Sequence, residues 1–254
     1  MLRADFYRAF HSAGFLIGVL ATLGVFFFGH VGMDGDSAVA TFNNNLKYNN
    51  ITDLLILCSA FAYSASFCAD WQTRFTVPLI VRSDKRSYTL SKCIAVAVAG
   101  GTSVVTGATA FIAFVCATHE QILPSVVEID NEFSWQAFGD LLVNGQPALF
   151  FLCYLLVLFL AAGFFASLGL AASGYFPNKY VAYISPFALG FVLNELANKL
   201  GLPIWLDPGR LATARILGST TPAILRMVVV SFLSFTVLCD ILFIQTAKRR
   251  LANG

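Results

Sequence analysis

Pro147–Ser173 reads PALFFLCYLLVLFLAAGFFASLGLAAS, 27 residues without one acidic or basic side chain. A helix of that length rises about 40 Å, more than the ~30 Å hydrocarbon core of a bilayer requires. Five further stretches are predominantly apolar: Ser12–Gly29, Ile51–Ala69, Cys93–Thr118, Val181–Ala197 and Pro222–Thr246. The fifth span is the weakest, because VAYISPFALGFVLNELA is short and carries Pro186 and Glu195. The sequence therefore predicts an all-α integral membrane protein of six transmembrane helices. Composition agrees, with 57% hydrophobic residues and 12% charged residues, against roughly 25% charged in a soluble domain. An ordinary soluble enzyme, a disordered chain and a disulfide-stapled scaffold are excluded on those figures.

The basic residues set the orientation. One side of the six-span layout collects Arg3, Arg8, the five of the 70–92 segment, Lys179, Lys248, Arg249 and Arg250, eleven in all. The other side has four: Lys47, Lys199, Arg210 and Arg215. Both termini are thus expected in the cytoplasm, with the acidic 119–146 segment outside. Ala38-Val39-Ala40 resembles a signal-peptidase site, but it lies about ten residues beyond the first apolar run. The first span is therefore read as retained. The longest connection, 119–146, has 28 residues, below the roughly 50 of a folded domain, so residues 1–254 read as a single transmembrane domain.

Several chemistries leave no trace in the chain. There is no G-x-x-x-x-G-K-[ST] phosphate loop and no G-x-S-x-G elbow, and His119-Glu120 is followed by Leu123 where a zinc protease needs its second histidine. His11, His30 and His119 fall on different segments, and the six cysteines form no C-x-x-C. No catalytic group and no metal site is expected. Glu195, Arg226 and Asp240 are ionisable residues in or near spans, functional candidates by default. Each stands within a few residues of a span end, where snorkelling is an equal explanation. Small residues at four-residue spacing (Ala99, Ser103, Gly107; Gly163, Ser167, Ala171; Gly14, Gly18) permit close helix approach within one subunit or between two.

Two segments carry more information. Leu2, Phe6 and Phe10 recur at i, i+4 and i+8 beside Arg3 and Arg8, the pattern of an interfacial amphipathic helix. Asp70–Lys92 reads DWQTRFTVPLIVRSDKRSYTLSK, apolar at its centre, with five basic and two acidic residues. Such a segment lies at the membrane face, where it either anchors topology or presents its charges to a soluble partner. Asp70 is expected to pair with Arg74, four residues on.

In layout the chain resembles the permease subunits of type-2 ATP-binding-cassette exporters. That family has an N-terminal helix on the cytoplasmic face and, between spans two and three, a loop that docks on a separate ATPase. Asp70 matches the acidic position after span two, Arg82-Ser83 and Lys85-Arg86-Ser87 match the basic turn, and Lys92 matches the lysine that opens span three; Thr73 stands where a glycine is common. Asp70, Arg74, Arg82, Lys85, Arg86 and Lys92 would then form the ATPase-coupling loop. The resemblance implies export of a peptide, drug, lipid or ion across a bacterial plasma membrane. The partners would be a cytosolic ATPase, a second permease in a homo- or heterodimer, and the lipid bilayer, with no nucleic acid. No cofactor is expected in this chain, ATP and Mg²⁺ residing on the ATPase. In the family, short helices also precede the last span, where Asn198–Thr221 has GLPIWLDPGRLATARILG. Two other classes remain open: a partner-free membrane protein, such as a bacteriocin immunity or sensor-associated subunit, and an intramembrane enzyme built on a polar pair among Glu195, Arg226 and Asp240.

Overall fold

The computed structural model describes residues 1–31, 35–48, 51–74, 84–134, 136–214 and 220–253. Among these the regular elements are all helical. They are α1 (Leu2–Phe10), α2 (Ala13–His30), α3 (Ala38–Tyr48), α4 (Ile51–Tyr63), α5 (Ser66–Gln72) and α6 (Lys85–Thr118). The chain continues with α7 (Gly139–Val143), α8 (Pro147–Tyr175), α9 (Lys179–Leu200), α10 (Pro208–Ala212) and α11 (Thr221–Asn253), with shorter helical turns at Val126–Phe133 and Ile204–Leu206.

Six helices are long and apolar enough to cross a membrane: α2, the α4–α5 pair over Leu54–Gln72, α6, α8, α9 and α11. They coincide with the six runs read from sequence, with two differences. The third helix begins at Lys85, eight residues before Cys93, because its first two turns are polar and escape a hydropathy criterion. The second is broken at Ser64–Ala65, where the Ser64 hydroxyl donates to the Ala166 carbonyl of α8 at 3.0 Å.

The α4–α5 pair is the centre of the bundle, with 72% of its apolar window buried, against 22% for α2 and α9. The small-residue faces explain how α6 packs so closely. Gly107 meets Thr22 of α2, Gly18 lies against Cys58 and Ser103, and Gly163 against the Ala97 carbonyl. A Cβ at Gly107 would come within 2.8 Å of the Thr22 side chain, so close approach requires glycine there. These faces serve contacts inside the chain. All six cysteines are free.

Helix α1, the C-terminal end of α5, the start of α6 and the last turn of α11 lie at one end of the bundle. There Lys85 Nζ donates to the Leu251 carbonyl at 3.2 Å, and Arg250 donates to the carbonyls of Gly174 and Tyr175. The far end is closed by connecting segments. Ala38 and Val39, the cleavage-site lookalike, open α3 with their N–H groups on the Gln121 and Ile122 carbonyls. Phe42 packs among Phe26, Phe151 and Tyr154. Asp140 accepts from the Thr221 backbone N–H at 3.1 Å and from its hydroxyl, capping the last span. Asp207 caps α10 through Gly209 N and Arg210 N. Short helices precede the last span, and Ala212 at the end of α10 seals a small apolar void against Leu55, Val104 and Leu158.

Candidate functional site

Helix α1 buries Asp5 and Ala9 and leaves Leu2, Tyr7 and Phe10 exposed. Arg3 and Arg8 are exposed with them, so the outward face mixes apolar and basic residues while the inward face carries an acid. On α6, Tyr88, Ser91 and Lys92 fall at i, i+3 and i+4, hence on one face, and all three are buried. Asp70 comes from the second turn of α5 and is also buried.

These residues converge on the Lys92 ammonium. It lies 2.8 Å from Asp70 Oδ2 and 3.1 Å from Asp5 Oδ1, with 0% of its side chain exposed. It donates to the Tyr63 hydroxyl at 3.2 Å and sits 4.9 Å from the Tyr63 ring centroid and 5.8 Å from that of Tyr88. Asp70 accepts from Tyr88 at 3.1 Å through Oδ2 and from Arg8 at 2.8 Å through Oδ1. Asp5 Oδ2 accepts from the Ser91 hydroxyl at 2.6 Å.

Two carboxylates therefore face two cations, and each carboxylate also takes a hydroxyl donor. That is the condition under which buried charge is tolerated. Burial works against the Arg8 charge, but the hydrogen bond and attraction of Asp70 leave its pKa above the ordinary guanidinium value. Arg8 is the network's opening to solvent, with 42% of its side chain exposed.

The coupling-loop residues separate into groups. Asp70 and Lys92 are interior, and they are joined to each other, tying α5 to α6. The expected Asp70–Arg74 pair does not form. Arg8 and Lys92, both out of reach of a local spacing argument, take Asp70 instead, and Arg74 is exposed at φ +55°. Arg86 is exposed, Lys85 is tied to α11, and Arg82 lies outside the described residues.

Glu195, Arg226 and Asp240 form no polar pair with one another among the described residues. Glu195 stands 4.0 Å from Lys199 one turn on, and Arg226 is exposed in the second turn of α11. Asp240 lies well inside α11, not at its end, with the Cys93 thiol of α6 beside it.

The sequence pattern places Arg8 on an interfacial helix and singles out none of Asp5, Tyr63, Tyr88 and Ser91. The available signal was Asp5–Ala9, a polar-small pair at i, i+4 beside the Leu2–Phe6–Phe10 stripe. His30 and His119, on different segments in sequence, line one open groove at the far end with Asp36 and Glu120. Among the described residues no three metal-ligating side chains cluster. Comparison with known protein families, curated proteins and solved structures found no match.

Proposed function

We propose that the chain is the membrane subunit of a type-2 ATP-binding-cassette exporter, its termini and 70–92 segment cytoplasmic, paired with a second permease and driven by a separate ATPase. The observation that carries this reading is the Asp5–Arg8–Asp70–Lys92 network. It fastens both flanks of the 73–84 segment to one another and to α1. A load applied to that segment would therefore reach spans two and three and the N-terminal helix together, through charge-assisted contacts that resist deformation. The break at Ser64–Ala65 gives α5 a place to tilt against α4. In this reading Arg74, Arg82 and Arg86 meet the ATPase, while Asp70 and Lys92 hold the base of the loop. The eleven-to-four basic asymmetry supports the orientation.

The test is co-expression with the ATPase encoded beside the chain, with Arg82, Lys85 and Arg86 all replaced by alanine. Bound ATPase and its turnover should both fall, while insertion persists because eight inner basic residues still face four outer ones. Unchanged binding and turnover in correctly inserted protein would refute the exporter reading and favour a partner-free membrane protein. A cysteine at position 128, on a background without native thiols, should react with impermeant reagents only from outside the cell.

A further inference from the structure

Asp240 poses a problem that the exporter reading does not address. It sits in the apolar part of α11, between Met227 and Ile244, and its neighbours Leu238, Ile241 and Leu242 are exposed on the outer surface of the bundle. Asp240 itself is half-buried, and its Oδ1 is buried without a hydrogen-bond partner. Cys93 of α6 is its polar neighbour.

Among the described residues no cation faces this carboxyl. On α6 the next residue, Lys92, is rotated about 100° away and is held by Asp5 and Asp70. Helix α8, the principal neighbour of α11, contains no Asp, Glu, Lys, Arg or His from Pro147 to Tyr175. On α11 itself, Arg226 lies fourteen residues before Asp240 and Lys248 eight after, about 21 and 12 Å along the axis. The titratable groups that approach it are the thiols of Cys93 and of the adjacent, buried Cys239. An ionised carboxylate with one oxygen buried and unpartnered in an apolar span, and no counter-charge beside it, is disfavoured, and a group so placed neutralises.

We propose that Asp240, with the Cys93 thiol beside it, is an intramembrane proton-binding site. The carboxylate takes one proton from water to become a neutral acid, and it gives the proton up only when α11 shifts against α6 and lets water in. The ligand is the proton itself. The inference holds whether or not an ATPase partner exists.

The experiment uses the full chain in phosphatidylcholine vesicles with dicyclohexylcarbodiimide, a lipid-soluble reagent that adds to protonated carboxyl groups. Peptide mass analysis should find one adduct, at Asp240, declining as the pH is raised from mildly acidic to mildly alkaline. Asp5 and Asp70, paired with Lys92 and Arg8, should remain unmodified, and Asp240→Asn should abolish labelling while inserting and melting like the parent. An Asp240→Cys variant that reacts with a lipid-soluble maleimide establishes that reagents reach the position. Absence of the carbodiimide adduct in the parent would then overturn the proposal. So would suppression of labelling by Na⁺ at fixed pH, which would make the occupant a metal cation, or failure of Asp240→Asn to insert, which would mean that the site needs its charge.

Discussion

Asp70 and Asp240 are both acids inside apolar spans, and both pack on α6, one against Lys92 and the other beside Cys93. Their surroundings are opposite. Asp70 has two cations and a tyrosine hydroxyl within 3.1 Å, so its charge is matched and its position fixed. Asp240 has a thiol and an orphaned oxygen. A single step along α6 separates the two cases, because one residue is a rotation of about 100° and carries the face from α1 and α5 to α11. What an intramembrane acid does is therefore decided by the opposing helix more than by depth or by its own span. One of these sites is a fastening, and the other is free to titrate.

The largest expected effect tests the matched site. Lys92→Met leaves Asp5 and Asp70 buried together with Arg8 as their remaining cation, and removing one member of a buried ionic network costs about 3–5 kcal/mol. Thermal unfolding in detergent should show a large loss, and exchange protection over Leu2–Phe10 should fall with it. Adding Asp70→Asn to Lys92→Met should recover part of that loss, because the orphaned charge is then removed. A Lys92→Met protein as stable as the parent would mean that the network is not what holds α1.

Arg8→Ala should cost less, about 1 kcal/mol, since Arg8 is partly solvated and Lys92 still neutralises Asp70. The expected signature is local: faster exchange in α1 with the bundle intact. A loss as large as that of Lys92→Met would show that the two cations are equivalent, and the distinction between a buried anchor and a solvent-facing clasp would fail. At the far end, Asp140→Ala removes the acceptor for the first N–H of α11 and should likewise cost about 1 kcal/mol. There the effect should appear as fraying from Thr221, with no change in α1.

The six spans were legible because length and apolarity are summed along the chain, and Pro147–Tyr175 needs no neighbour to be recognised. The matched site was not legible, for two physical reasons. Tyr88, Ser91 and Lys92 share a face only if α6 already runs as helix from Lys85, and those polar turns depress hydropathy where the span was taken to begin. Asp5 meets Lys92 across 87 residues, a contact set by how α1 folds back on the bundle and invisible to any i, i+4 rule. The same rule made Arg74 the obvious partner for Asp70. Asp240 was visible as an intramembrane acid, but its lack of a counter-charge is a property of α8 and α6, not of its own sequence.

The smallest expected effect is the most discriminating. Asparagine replaces aspartate with almost the same shape and no charge. If Asp240 rests as a neutral acid, Asp240→Asn alters one hydrogen-bonding atom in an otherwise unchanged pocket, and stability should move by no more than about 0.5 kcal/mol. The same replacement at Asp70 is not neutral, because it strips a carboxylate from Lys92 and Arg8 and leaves part of a buried positive charge unmatched. The pair of isosteric substitutions therefore compares the charge states of the two acids directly, with volume and packing held constant. Unfolding midpoints measured side by side in one detergent should separate widely, Asp70→Asn low and Asp240→Asn with the parent. If the two fall together, Asp240 carries its charge in the folded protein and has found a cation that its neighbours on α6, α8 and α11 do not supply.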